Sequence, residues 1–140
     1  MKHERYIVIV GCGRLGSLLA NRLSRQGNSV VVIDRDEGTF ENLSVDFSGF
    51  RIHGDATHMA VLKSSKMGRA DVVLTTTRED NINLMVAQVA RKVFGVSCVI
   101  ARIFDPKRER VYAHLGIDTV CPTTAAADMF LRNMDGIMIV

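Results

Sequence analysis

The densest chemistry in the chain lies in six residues, Gly11-Cys12-Gly13-Arg14-Leu15-Gly16. This G-x-G-x-x-G run follows a β-branched segment and opens an amphipathic one. In that setting the first glycine permits a tight turn, the second lets a phosphate approach the backbone, and the third lets helix and strand pack closely. The helix start adds free N–H groups and the positive end of a dipole, both favourable to an anion. Asp34 follows Gly16 by 18 residues, at the end of the next β-branched run. That is near the spacing of about 20 at which a carboxylate accepts hydrogen bonds from ribose hydroxyls. Loop, helix and acid together predict an adenosine nucleotide site. A carboxylate at Asp34 repels a 2′-phosphate, which disfavours NADP, although Arg35 beside it pulls the other way.

Three more segments are expected at the same edge. Gly54-Asp55-Ala56-Thr57 follows the third strand, where an adenine would lie, and Thr57 reads equally well as the N-cap of the next helix. Thr75-Thr76-Thr77 follows the fourth strand, beside the glycine turn, where hydroxyls would meet phosphate or ribose. Arg102 closes the fifth strand, either reaching the same crevice or serving as a surface ion-pair partner.

The elements that must position these residues alternate along the chain. Strands are predicted at Tyr6–Val10, Val30–Asp34, Phe50–His53, Asp71–Thr75, Ser97–Arg102 and Asp118–Val120. Helices are predicted at Arg14–Gln26, Glu37–Val45, Thr57–Ser64, Glu79–Phe94, Pro106–Leu115 and Thr123–Met134. Several strands are apolar throughout, as parallel strands covered on both faces are. The fold expected is α/β: a Rossmann-like, doubly wound, six-stranded parallel sheet in a single domain, with ligands at the carboxyl ends of its strands. Asp105-Pro106 offers a helix start, and Gly27, Gly95 and Gly116 offer helix ends. In helix 79–94, Ile82, Met85, Val86, Val89 and Val93 form the stripe expected to face the sheet. Leu84, Ala87 and Phe94 widen it, which suits either a generous core or a subunit interface. The tail Asp135-Gly136-Ile137-Met138-Ile139-Val140 reads as a seventh strand, a partner contact or an incomplete element.

Composition narrows the function classes. The 140 residues suit one domain; 47% are hydrophobic and 24% charged, so the chain is globular rather than disordered. No apolar run reaches the ~18 residues of a membrane span, and the first residues lack a signal-peptide layout, so a cytoplasmic protein is expected. The net charge of +3 gathers into no basic stripe, which argues against nucleic acid. Cys12, Cys98 and Cys121 form no CxxC and no even set, and read as reduced thiols. His53 and His58 are separated across a loop with no cluster to complete a metal site. Neither a metal site nor a catalytic nucleophile is expected.

The ordered set is more selective than its parts. Ile9-Val10 with the glycine run, Asp34-Arg35-Asp36, Gly54-Asp55-Ala56-Thr57, Thr75–Thr77 with Asp80-Asn81-Ile82-Asn83-Leu84, Ala101-Arg102, Leu115-Gly116-Ile117-Asp118 and Cys121-Pro122 occur in order. The set resembles the RCK (KTN) N-terminal domain, of the TrkA-N type. That domain is the regulator-of-potassium-conductance module of Trk- and Ktr-type uptake systems and of many potassium channels. The likeness runs from about Tyr6 to Met134.

The resemblance implies a cytoplasmic gating subunit with no catalytic residues, peripheral to the inner face of the membrane through a membrane-embedded potassium transporter or channel. It implies binding of NAD, NADH, ATP, ADP or AMP, and assembly as a homodimer within an octameric ring, alone or with a longer RCK subunit. By motif position, Gly11, Cys12, Gly13, Arg14, Leu15 and Gly16 line the phosphate turn, with Arg14 near a neighbouring subunit's ligand. Asp34 and Arg35 meet ribose, Gly54, Asp55 and Ala56 adenine, and Thr75, Thr76 and Thr77 the inner ribose–phosphate region. Arg102 joins them less directly. Residues 1–134 form the nucleotide-binding domain, and 135–140 a tail that starts a crossover or contacts a partner. Fuller members of the family continue through a crossover helix into a smaller lobe that can bind a second ligand, and this sequence is expected to reach the start of that crossover. Two other functions fit a nucleotide turn: the nucleotide-binding domain of an NAD-dependent oxidoreductase, and an NADH/NAD redox sensor working through Cys12.

Overall fold

The structure, a computed structural model, describes residues 4–139, and side chains as far as residue 136. Six strands form one parallel sheet: β1 (Tyr6–Val10), β2 (Ser29–Asp34), β3 (Phe50–His53), β4 (Val72–Thr75), β5 (Cys98–Arg102) and β6 (Asp118–Val120). Their order across the sheet is β3-β2-β1-β4-β5-β6. The order reverses at β1, where the chain crosses from one half of the sheet to the other, so the loops after β1 and β4 flank a crevice. Helices α1 (Arg14–Arg25), α2 (Met59–Ser64), α3 (Asp80–Lys92), α4 (Glu109–Ala113) and α5 (Pro122–Ile139) link or follow the strands.

The two faces of β1 show why the sheet is doubly wound. Val8 and Val10 enter one core with Val31, Ile33, Val73, Leu84, Val86 and Ala87. Ile7 and Ile9 enter a second core with Ala20, Val30, Val32, Leu43 and Phe47. Period-2 alternation inside an all-apolar strand thus feeds both layers, and burial on both sides drives the sheet together. Gly27, Gly95 and Gly116 adopt positive φ at the helix ends, as their positions predict.

Several expected elements differ. The helix expected at Glu37–Val45 is a 3₁₀ segment confined to Glu37–Asn42. The Asp36 side chain accepts from the Gly38 N–H, and the Asn21 side chain accepts from the Ser44 N–H. These local bonds compete with a helix ladder. The helix expected at Pro106–Leu115 divides into a 3₁₀ turn at Pro106–Arg108 and the short α4. Thr57 does not cap α2: His58 holds that position, while the Thr57 N–H and hydroxyl both donate to Asp55. Residues 135–139 continue α5, so no seventh strand forms there, and Val140 lies outside the described residues.

Helix α3 is rotated from its expected setting. Asn83, Leu84, Val86, Ala87 and Ala90 are buried, whereas Met85 is 40% and Val93 63% exposed. Ile82, Val89 and Phe94 pack at the margin of the core. A fully buried asparagine sits at the centre of the inward face, and its bonds set the rotation.

Candidate functional site

The glycine turn is shaped by backbone proximity. Gly11 has φ +111°, and a Cβ there would lie 2.9 Å from both the Thr76 carbonyl carbon and the Thr77 nitrogen. Its N–H donates to the Ile33 carbonyl at 2.8 Å. A Cβ at Gly16 would overlap the Gly11 carbonyl oxygen, so α1 leaves the strand with no room for a side chain. Gly13 is the opposite case: a Cβ there would meet nothing within 4 Å. Gly13 is the N-cap of α1, with no side-chain capping bond and no acid in the first turn. Donors of that turn thus face an open cradle, beside the exposed Arg14 and half-buried Leu15.

At the end of β2, Asp34 spans the turn with both carboxylate oxygens. One accepts the Cys12 N–H and the other the Asp36 N–H, each at 2.8 Å. The carboxylate is therefore fixed beside the glycine turn, and its remaining lone pairs can accept ribose hydroxyls. Arg35 is exposed next to it. The Gly54 N–H donates to the Asp34 carbonyl at 3.0 Å, bringing the β3 loop alongside. Asp55 is held below the usual carboxylate range, chiefly by the hydrogen bonds from Thr57. The Ala56 methyl is packed in the core, so only its backbone borders the loop surface.

The three threonines have different surroundings. Thr75 is fully buried and its hydroxyl donates to the Asn83 carbonyl at 2.9 Å. The Thr76 hydroxyl donates to the Gly11 and Val10 carbonyls at 3.0 and 3.2 Å. Both hydroxyls are thus turned inward and hold the turn together. Thr77 is half-buried, and its backbone N–H and hydroxyl meet the Asn83 carboxamide oxygen at 2.8 and 2.6 Å. Arg102 ends β5 with its guanidinium 4.2 Å over the Phe104 ring. Its Nε is buried without a partner, and burial lowers its pKa from the usual arginine value. Among the described residues it forms no ion pair, while the nearby Asp80 charge favours its protonation and Arg78 opposes it. Beside it, Arg78–Ile82, Phe104, Asp105 and Arg108 line an open groove of about 620 Å³.

Asn83 and Asp80 are the site's unexpected members. The Asn83 carboxamide donates to the Thr77 and Arg102 carbonyls, both at 3.0 Å, so it joins the ends of β4 and β5. The Asp80 carboxylate accepts the Phe104 N–H at 2.8 Å. The available signal was the Asp80-Asn81-Ile82-Asn83-Leu84 run of the ordered set, to which the sequence attached no role in the site.

Cys12 is fully buried, and burial with the nearby Asp34 charge pushes its thiol up to about 11. A thiol so held is buried and less acidic than a free one, which argues against a reactive thiolate at Cys12. Among the described residues, no three or more His, Cys, Asp or Glu side chains are grouped to hold a metal, and no helix is long and apolar enough to cross a membrane.

Comparison with known proteins places the fold in a family. The family model described as the TrkA-N domain matches residues 7–123. A Trk system potassium uptake protein TrkA from Streptomyces coelicolor is 43% identical over 129 residues, which are 92% of this chain and 58% of that protein. A TrkA homolog from Methanothermobacter thermautotrophicus is 31% identical over 92% of this chain and 59% of its own length. The chain thus spans about three-fifths of the length of these curated relatives. Among solved structures, the TrkA-N domain of the inner membrane protein ybaL from Escherichia coli has a TM-score of 0.81. It is 19% identical and covers 94% of this chain and 98% of its own, a likeness of fold. The GsuK channel bound to NAD has a TM-score of 0.77 at 25% identity, over 92% of this chain and 23% of that one. GsuK has also been solved bound to ADP.

Proposed function

The chain belongs to the TrkA-N domain family, and from that premise we propose that it is the nucleotide-binding regulatory part of a potassium transport system. It binds an adenosine nucleotide (NAD, NADH, ATP, ADP or AMP) and biases conduction through a membrane-embedded potassium transporter or channel. The observation that carries this reading is the open, uncapped helix start over Gly13 with the pinned Asp34 carboxylate beside it. An anion fits the first, and a ribose the second. The naming of relatives for potassium uptake, and of GsuK as a channel bound to NAD, supports the assignment to transport.

In this reading Gly11, Gly13 and Gly16 let the phosphates approach, Asp34 takes the ribose, and Asp55 borders the adenine. The Asp34 carboxylate disfavours the 2′-phosphate of NADP, with the exposed Arg35 beside it pulling the other way. The exposed Arg14 responds to the charge of the phosphate tail. A ligand shifts an equilibrium between two arrangements of an assembly by its difference in affinity for them. Arg14 is placed to make ATP, ADP and AMP differ in that respect. The chain works without catalysis, at the cytoplasmic face of the membrane, as a homodimer within an octameric ring or together with a longer RCK subunit. Residues 1–134 act as the nucleotide domain, and α5 through residues 135–139 begins the crossover to a further lobe. Potassium uptake by host cells lacking this chain tests the proposal. Uptake control should return with the unsubstituted chain and stay lost with Gly13→Ala. Equal restoration by both would overturn it.

A further inference from the structure

We propose that Asn83 is the positioning residue for the half of a dinucleotide that extends beyond the glycine turn. This inference rests on the nucleotide reading above and concerns which part of the ligand each strand end serves.

The crevice has two sides, each with hydrogen bonds of its own, that meet where Gly11 packs against the Thr76–Thr77 peptide. On the β1 side, Thr76 secures the turn: its N–H and hydroxyl donate to Val10, and its hydroxyl also to Gly11. Asp34 secures the ribose position through the Cys12 N–H. Neither tie involves Asn83. On the other side β4 and β5 pair directly, and the Thr77 turn and the Arg102–Asp105 loop that follow them are tied to each other through α3. Asn83 is fully buried, and its carboxamide accepts from the Thr77 N–H and hydroxyl and donates to the carbonyls of Thr77 and Arg102. All four of its hydrogen-bonding positions are filled. One turn earlier on the helix, Asp80 accepts from the Phe104 N–H, 2.8 Å away, and from the Asp105 N–H at 3.4 Å. Two side chains of α3 thus set the Thr77 turn and the Arg102–Asp105 loop against each other.

The sheet order gives this arrangement its meaning. Adenosine over β2 and phosphates over the β1 turn leave the rest of a dinucleotide to cross β4 toward β5, since β4 is the other neighbour of β1. There it meets Thr77 and the guanidinium of Arg102, whose buried Nε has no partner. A mononucleotide with one phosphate ends before that point. Asn83 therefore acts on length of ligand. Loss of its carboxamide frees the Thr77 turn and leaves two carbonyls without donors, while the β1 side keeps its bonds.

The test is a comparison of NAD and AMP binding by the purified chain, its Asn83→Ala variant and its Asp80→Ala variant, with thermal melting run alongside. Each tenfold in affinity corresponds to about 1.4 kcal/mol, the order of one well-placed contact to a charged or polar group. Asn83→Ala is expected to weaken NAD about tenfold and AMP less than twofold, and Asp80→Ala to change the same ratio by a smaller factor. A purely structural role would lower both affinities together, so an equal loss, or no loss, overturns the inference. Should Asn83→Ala fail to fold, the NAD/AMP ratio of Asp80→Ala decides by the same criterion. Absence of binding by the unsubstituted chain overturns the nucleotide reading itself and this inference with it.

Discussion

Gly13 and Gly16 stand three residues apart in one motif, yet the structure assigns them opposite tasks, and paired alanine substitutions separate them. At Gly16 the new Cβ would overlap the Gly11 carbonyl oxygen and lie 2.7 Å from the Thr76 hydroxyl and 2.8 Å from the Gly11 carbonyl carbon. Two of these atoms are backbone, so the helix must move off the strand before the methyl reaches an ordinary contact. Overpacking of this kind costs about 3 kcal/mol, or roughly 10 °C in Tm for a chain of 140 residues. At Gly13 the Cβ enters open space, and the backbone is extended with a negative φ of −74°. Its stability should change by about 1 kcal/mol at most, through helix capping. The methyl would instead occupy the approach of a phosphate and weaken nucleotide binding at least tenfold, roughly 1.4 kcal/mol. The assay is urea or thermal unfolding of both variants, paired with nucleotide titration of each. A Gly13→Ala protein as unstable as Gly16→Ala, or one that binds nucleotide normally, would refute the reasoning.

Asp34→Ala leaves the Cys12 and Asp36 N–H groups without their acceptor and should lower stability by about 1–3 kcal/mol. It should also raise NADP affinity relative to NAD, which side-by-side titration reads. Arg14 is exposed, so Arg14→Ala should leave Tm within experimental scatter while weakening ATP more than AMP; equal affinities before and after would exclude Arg14 as a phosphate reader. Cys12 is a fully buried thiol whose pKa rises from 9.0 to about 11, so the folded state keeps a proton that the unfolded state loses. That contribution, roughly 2–3 kcal/mol, is complete below pH 9 and is lost as pH rises through 11. Denaturant unfolding from pH 8 to 11 should show the fall, and Cys12→Ala should lessen it.

The sheet and the turn were legible because both are written in local terms. Runs such as Val30-Val31-Val32-Ile33 admit little but a doubly covered strand, and Gly27, Gly95 and Gly116 mark helix ends through conformations that other residues resist. The glycine motif was legible through its spacing between strand and helix, and Gly16 answers to the nearby Gly11 carbonyl, although Gly11 answers to the distant Thr76–Thr77 peptide. What escaped was decided by distant partners. The rotation of α3 follows from Asn83 reaching carbonyls on β4 and β5, and hydropathy alone favoured Met85 and Val93 instead. The inward turn of the Thr75 and Thr76 hydroxyls likewise depends on the carbonyls of Asn83, Gly11 and Val10. The helix expected over residues 37–45 gave way to side-chain bonds from Asp36 and Asn21 that no periodicity records.

Calorimetric titration of the purified chain with NAD, NADH, ATP, ADP, AMP and NADP tests the central claim most directly. Saturable binding of the adenine nucleotides is expected, with weaker binding of NADP and a marked loss of all binding in Gly13→Ala. No binding of any of the six, or NADP bound as tightly as NAD, would contradict it.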